Sequence, residues 1–202
     1  MTATYGNLRP LPFSGDDAAL ARALRAGHPS AKEALYDRHA DAVRRVLIRT
    51  LGTSADVREH MHEVFLQAFS SARSLRDDSK LRPWLLRIAV NTGIAHIRKR
   101  RARRWLSFGA PEEIPEVGVA AADDVGRETL RQVYEVLDAL PVEDRVAFSL
   151  RAIDGMLLSE IAEVCGVSIP TVKRRVARGE ARFLGSARER PLLADWLERG
   201  DR

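Results

Sequence analysis

Cysteine is all but missing from this sequence: Cys165 is the only one in 202 residues. No intramolecular disulfide can form and no cysteine cage can hold a metal. A lone thiol fits a reducing compartment, so a cytoplasmic location is expected. No apolar run approaches membrane-spanning length, which argues against membrane insertion. From Asp16 onward β-branched alternation is scarce, and no segment reads as a strand. A phosphate-cradling glycine loop and a nucleophile constellation are also missing. The stretch HEVFL, His62 to Leu66, begins like a zinc-protease motif, but Leu66 stands where the second histidine must fall. His60 and His62, two apart on a helix, point to different sides and are poorly placed to share a metal. These absences point away from an enzyme, and no cofactor or metal is expected.

What is present is helical and basic. Hydrophobic residues make up 45% of the chain, enough to give each of two small domains a core. The formal charge is +5, and the basic residues are clustered, which favours an anionic partner, nucleic acid first. From Pro29 to Leu51, Tyr36, Ala40, Val43, Leu47 and Leu51 recur at spacings of three and four, an apolar stripe on one helix face that ends at Gly52. A second helix, about Ser54 to Ala72, repeats the device with Val57, Met61, Val64 and Ala68, widened by Phe65 and Phe69. After the loop RSLRDDSK a third runs from about Leu81 to Arg104, with Leu81, Leu85, Ile88, Thr92 and Ala95 inward, and ends in the basic run RKRRARR. Trp84, beside Leu81, Leu85 and Ile88, reads as core rather than as a platform for an unpaired base.

Composition changes at Ser107. Between Phe108 and Gly126 there are five acidic residues and no basic one, together with proline and glycine, as in a linker. Further helices are expected at Arg127 to Leu140, Pro141 to Asp154, Met156 to Cys165 and Ser168 to Leu184, with a short one near Pro191 to Arg199. The expected class is all-α: a mobile tail over 1–15, a helical domain over 16–104, a flexible linker over 105–126, a second domain over 127–185 and an extension over 186–202.

The segment LSEIAEVCGVSIPTVKRRVARGEARF has what a helix-turn-helix needs. Ala162 lets two helices approach, and Gly166 suits the left-handed conformation of a tight turn. Ile161, Val167, Val172 and Val176 would share a core, with Cys165 as a small packing residue. Ser168 suits an N-cap and Pro170 a first helical turn. Thr171, Arg174, Arg175 and Arg178 then fall at i, i+3, i+4 and i+7, a stripe that can enter a major groove; Lys173 is rotated off it, towards the backbone. The bland alternative is a helical hairpin with a solvated basic face.

With both halves in view, the chain resembles the extracytoplasmic-function group of bacterial sigma factors, over about residues 17 to 104 and 127 to 185. The matching stretches are DVREHMHEVFLQAF and LRPWLLRIAVNTGIAHIRKRR in the first half and ALPVEDRVAFSLRAIDGMLLSEIAEVCGVSIPTVKRRVARGEARF in the second. The chain departs from the usual pattern at His60, His62 and Pro83. The resemblance implies a sigma region 2-like helical bundle and a region 4-like helix-turn-helix domain, with core RNA polymerase, promoter DNA and an anti-sigma factor as partners. It makes the polar face of Asp56, Glu59, Glu63 and Gln67 the surface that docks on the polymerase. Arg87, Asn91, Arg98, Lys99 and Arg101 on the third helix would meet the minus-ten element. Thr171, Lys173, Arg174, Arg175 and Arg178 would meet the minus-thirty-five element, and the loop Arg73 to Lys80 would capture a flipped base. A conventional repressor is the main rival, but it needs a ligand-sensing or dimerising domain whose signature the first half lacks.

Overall fold

The computed structural model describes residues 13–52, 57–106 and 124–200. All regular structure among them is helical. Helix α1 (Asp17–Ala26) starts where the Asp16 carboxylate accepts the Ala19 N–H at 2.8 Å, and stops at Gly27 in the left-handed conformation. Helices α2 (Ala31–Leu51) and α3 (Val57–Ser71) follow, then two short 3-10 turns at Ala72–Ser74 and Asp78–Lys80, and the long α4 (Leu81–Leu106). The second half holds α5 (Asp124–Ala139), α6 (Val142–Ala152), α7 (Leu158–Cys165), α8 (Ile169–Arg188) and α9 (Pro191–Gly200).

The apolar stripes are where their spacing predicts, with two exceptions. Val43, Leu47, Val64, Leu81 and Leu85 are fully buried, whereas Tyr36 remains 48% exposed, its ring lying on Phe65 at 4.8 Å. Ala95 faces solvent; the inward line of α4 passes from Thr92 to Gly93 and then to His96, whose ring meets His60 edge-on at 4.2 Å. Gly93 permits this path, because a Cβ there would stand 2.5 Å from Thr50 Cγ2 of α2. In the second half, Val136, Leu137, Leu140, Phe183, Ala187 and Leu193 form a cluster of their own, through which α9 covers the α5 and α8 surface.

The two halves are docked on each other. One continuous apolar cluster runs from Leu47, Leu81, Leu85 and Leu86 into Val142, Val146, Leu150, Ile161 and Val172. Polar contacts surround it. Arg145 of α6 is 5% exposed and donates to the carbonyl of Thr50, one of the helix-end carbonyls that α2 itself leaves unsatisfied, and to Asp138 at 2.5 Å. Burial pushes the Asp138 carboxyl above the usual range, with Arg145 opposing the shift. Arg49 of α2 donates to Asp154 at 3.4 Å and to the Tyr134 hydroxyl at 3.1 Å; Lys80 meets Glu163 at 2.5 Å and Arg98 meets Glu143 at 3.0 Å.

Candidate nucleic-acid interface

The α7–turn–α8 unit is a helix-turn-helix in its details. Gly166 takes φ 66° and ψ 37°, the Val167 N–H closes on the Ala162 carbonyl at 3.1 Å, and the Gly166 N–H on Glu163 at 3.3 Å. That pattern ends α7 and turns the chain so that Ile161, Val164 and Val172 pack together in the core. At the start of α7 the Glu160 carboxylate accepts the Leu157 N–H at 2.7 Å. Ser168 holds the N-cap position of α8 and Pro170 its first turn, but the Ser168 hydroxyl meets Thr171 Oγ1 at 3.0 Å and makes no capping bond. Cys165 is packed between α7 and its neighbours, and burial pushes its thiol up to about 11.

Lys173 and Arg174 are exposed on α8, while Thr171 and Arg175 are half-buried. Arg178, expected as the last member of the reading stripe, has a partner within the chain: its Nη2 and Nε donate to the two carboxylate oxygens of Asp144 on α6 at 2.7 and 3.1 Å. The residue missed by sequence reasoning is thus Asp144, 3% exposed although charged. Its only signal was an acid in the first turn of α6, which resembles ordinary helix-start chemistry.

In the first half Arg87, Asn91, Arg98 and Lys99 are all exposed along α4. Two of them are engaged with the other half: Arg98 with Glu143, and Arg87 with the α7–α8 turn, where a Cβ on Gly166 would collide with its guanidinium. The side chain of Arg101 lies outside the described residues. A cleft of about 370 Å³ opens between the Arg73 to Lys80 loop, α4 and Glu163, and half-buried Trp84 lines it with Leu75, Lys80 and Arg87. On α3, Glu59, Glu63 and Gln67 are exposed, with Glu63 3.5 Å from Nδ1 of the buried His60. Asp56, expected on the same face, lies outside the described residues. Among the described residues no group of three His, Cys, Asp or Glu side chains is placed to hold a metal ion, and no helix is long and apolar enough to cross a membrane.

A helix-turn-helix with cations on its open face, docked on a bundle that carries a basic helix of its own, defines an all-helical protein of the helix-turn-helix DNA-binding class. Residues 35–103 match the family described as Sigma-70 region 2, and residues 130–183 match Sigma-70, region 4. The ECF RNA polymerase sigma factor SigM of Mycobacterium tuberculosis (strain H37Rv) is 34% identical over 167 residues, 83% of this chain and 82% of that protein. The ECF RNA polymerase sigma-E factor of Escherichia coli (strain K12) is 32% identical over 177 residues, covering 80% and 89% respectively. Among solved structures, CnrH in complex with the cytosolic domain of CnrY superposes with a TM-score of 0.61 at 27% identity, over 84% of this chain and 95% of that one. This chain belongs to the ECF group of RNA polymerase sigma factors. It binds core RNA polymerase and directs promoter-specific transcription initiation.

Proposed function

We propose that the chain divides this work among three surfaces. The acidic and polar face of α3, with Glu59, Glu63 and Gln67 exposed and Asp56 beside it in sequence, docks on core polymerase. The exposed line of Arg87, Asn91, Arg98 and Lys99 on α4, continued by Arg101, meets the minus-ten element. Helix α8 reads the minus-thirty-five element with Thr171, Arg174, Arg175 and Arg178, while Lys173 holds the backbone. The observation that carries the reading is the placement of Arg174 on the open side of α8, with Val172 buried behind it. An arginine so placed can pair in bidentate fashion with guanine.

Promoter opening is shared with the polymerase. A bubble of about ten base pairs costs on the order of 14 kcal/mol at roughly 1.4 per step, which would consume a tight specific binding energy. The chain works by binding, in the cytoplasm, and catalyses nothing itself. A protein inhibitor of the anti-sigma class is the further partner that the family resemblance implies; the similar CnrH was solved in complex with another protein, the cytosolic domain of CnrY.

The test is transcription by holoenzyme on genomic DNA with mapping of the RNA starts, followed by single-base variants of the shared upstream element. Arg174→Ala relaxes preference at one base by roughly five- to a hundredfold, whereas Lys173→Ala weakens all promoters alike. Failure to yield any promoter-specific start would overturn the division of labour altogether. Uniform loss for Arg174→Ala, with base preference unaltered, would reduce α8 to a phosphate anchor.

A further inference from the structure

We propose that Asp144 is a specificity-determining residue of upstream recognition, acting by positioning Arg178. The proposal rests on α8 being the reading helix, as above. Asp144 lies on α6 and its side chain is 4% exposed; Arg178 is 49% exposed, so the pair reaches from the domain interior to its surface. The carboxylate takes the Nε and Nη2 edge of the guanidinium at 3.1 and 2.7 Å. Three N–H groups remain on Arg178: both of Nη1 and the second of Nη2. Two of these, one on each Nη, form the end-on fork of the guanidinium, an edge that can pair with guanine O6 and N7. A second arginine, Arg182, donates to the same carboxylate at 3.5 Å from one turn further along α8.

The arrangement does two things. It fixes the rotamer of Arg178, so little side-chain freedom is left to lose when a base is engaged. It also ties the charges of Arg178 and Arg182 to an internal anion, which lowers their pull on phosphates of any sequence. The backbone supports the clamp: Gly179, next to Arg178, brings α8 so close to α6 that a Cβ there would stand 3.0 Å from the Asp144 carbonyl oxygen. Asp144 therefore trades general affinity for base discrimination.

The experiment uses full-length holoenzyme on every single-base variant of the upstream element, comparing Asp144→Asn, Arg178→Lys and Arg174→Ala. Arg178→Lys keeps a cation opposite the buried Asp144 carboxylate but has no fork, and circular dichroism and the melting midpoint of each variant establish that it is folded before binding is compared. Asp144→Asn and Arg178→Lys are expected to lose preference at the same base by roughly five- to a hundredfold. Asp144→Asn alone also steepens the salt dependence, by about one in log–log slope for each arginine that turns to a phosphate. The double variant loses no more preference at that base than Arg178→Lys. Uniform loss across all bases in Asp144→Asn, or different bases affected by the two variants, overturns the proposal. If Arg174→Ala shifts its own base while the Asp144 and Arg178 variants shift none, only the clamp is refuted; if none of the three shifts any base, the reading of α8 itself has failed.

Discussion

Two glycines of α8 offer the same substitution with opposite expected signs. In a helix interior alanine is favoured over glycine by about 0.8–1.0 kcal/mol. At Gly185 nothing lies within 4 Å of the place a Cβ would take, so Gly185→Ala keeps most of that gain. At Gly179 the new Cβ would stand 2.7 Å from the Phe148 Cβ and 3.0 Å from the Asp144 carbonyl oxygen. Neither atom is the loose end of a side chain, so α8 must move off α6, and overpacking of this kind costs about 1–3 kcal/mol. The steric cost exceeds the propensity gain, leaving Gly179→Ala less stable by up to ~2 kcal/mol. For a chain of this size each kcal/mol moves the melting midpoint by about 2–4 °C. Thermal unfolding followed by circular dichroism should raise the midpoint of Gly185→Ala by about 2–4 °C and lower that of Gly179→Ala by up to ~8 °C. Equal upward shifts in both would refute the close approach of α6 and α8.

Charge reversal on α3, Glu59→Arg with Glu63→Arg, should abolish co-purification with core polymerase while the helical spectrum is kept; unchanged binding would place the docking face elsewhere. With the Cys165 thiol pushed up to about 11, only about one molecule in a thousand carries the thiolate at pH 8. Alkylation by iodoacetamide should run at least ~100-fold slower than in the urea-unfolded chain, and comparable rates would contradict the burial. Burial also holds His39 and His96 below the ordinary histidine range. The unfolded chain therefore takes up protons that the folded chain refuses, so the stability they contribute is present above about pH 6.5 and lost as pH falls below it. Melting midpoints measured between pH 7.5 and 5.5 should decline towards acid, and a flat or rising profile would count against both assignments.

Much of the fold was legible because burial leaves a local trace. The stripes on α2, α3 and α4 and the turn at Gly166 follow from residue spacing within single helices, and the helix-turn-helix core of Ile161 and Val172 was readable for the same reason. Ala95 misled because its spacing from Thr92 suits an inward face, while the actual line runs through Gly93, a residue without a side chain to signal burial. The docking of the two halves had no trace at all. Arg145 and Thr50 are 95 residues apart in sequence, and an arginine that caps another helix looks like any surface arginine. Asp144 and Arg178 are 34 residues apart, and an acid in a first helical turn is unremarkable until α8 covers it. The stripe of arginines was visible; which of them already had a partner was not.

The docking of the halves bears on how the free chain behaves in a cell full of DNA. Arg87 lies against the α7–α8 turn and Arg98 is held by Glu143, so a duplex that claims these groups competes with contacts already made. Under such competition the apparent dissociation constant is the intrinsic one divided by the fraction of molecules in which the halves stand apart. If that fraction is about one in a hundred, every stray genomic site binds about a hundredfold more weakly. On the proposed role of α4, an assembly that gripped both halves would meet the opening cost through its own contacts. If α4 meets DNA as proposed, contacts made inside the closed chain would thus weaken its background binding.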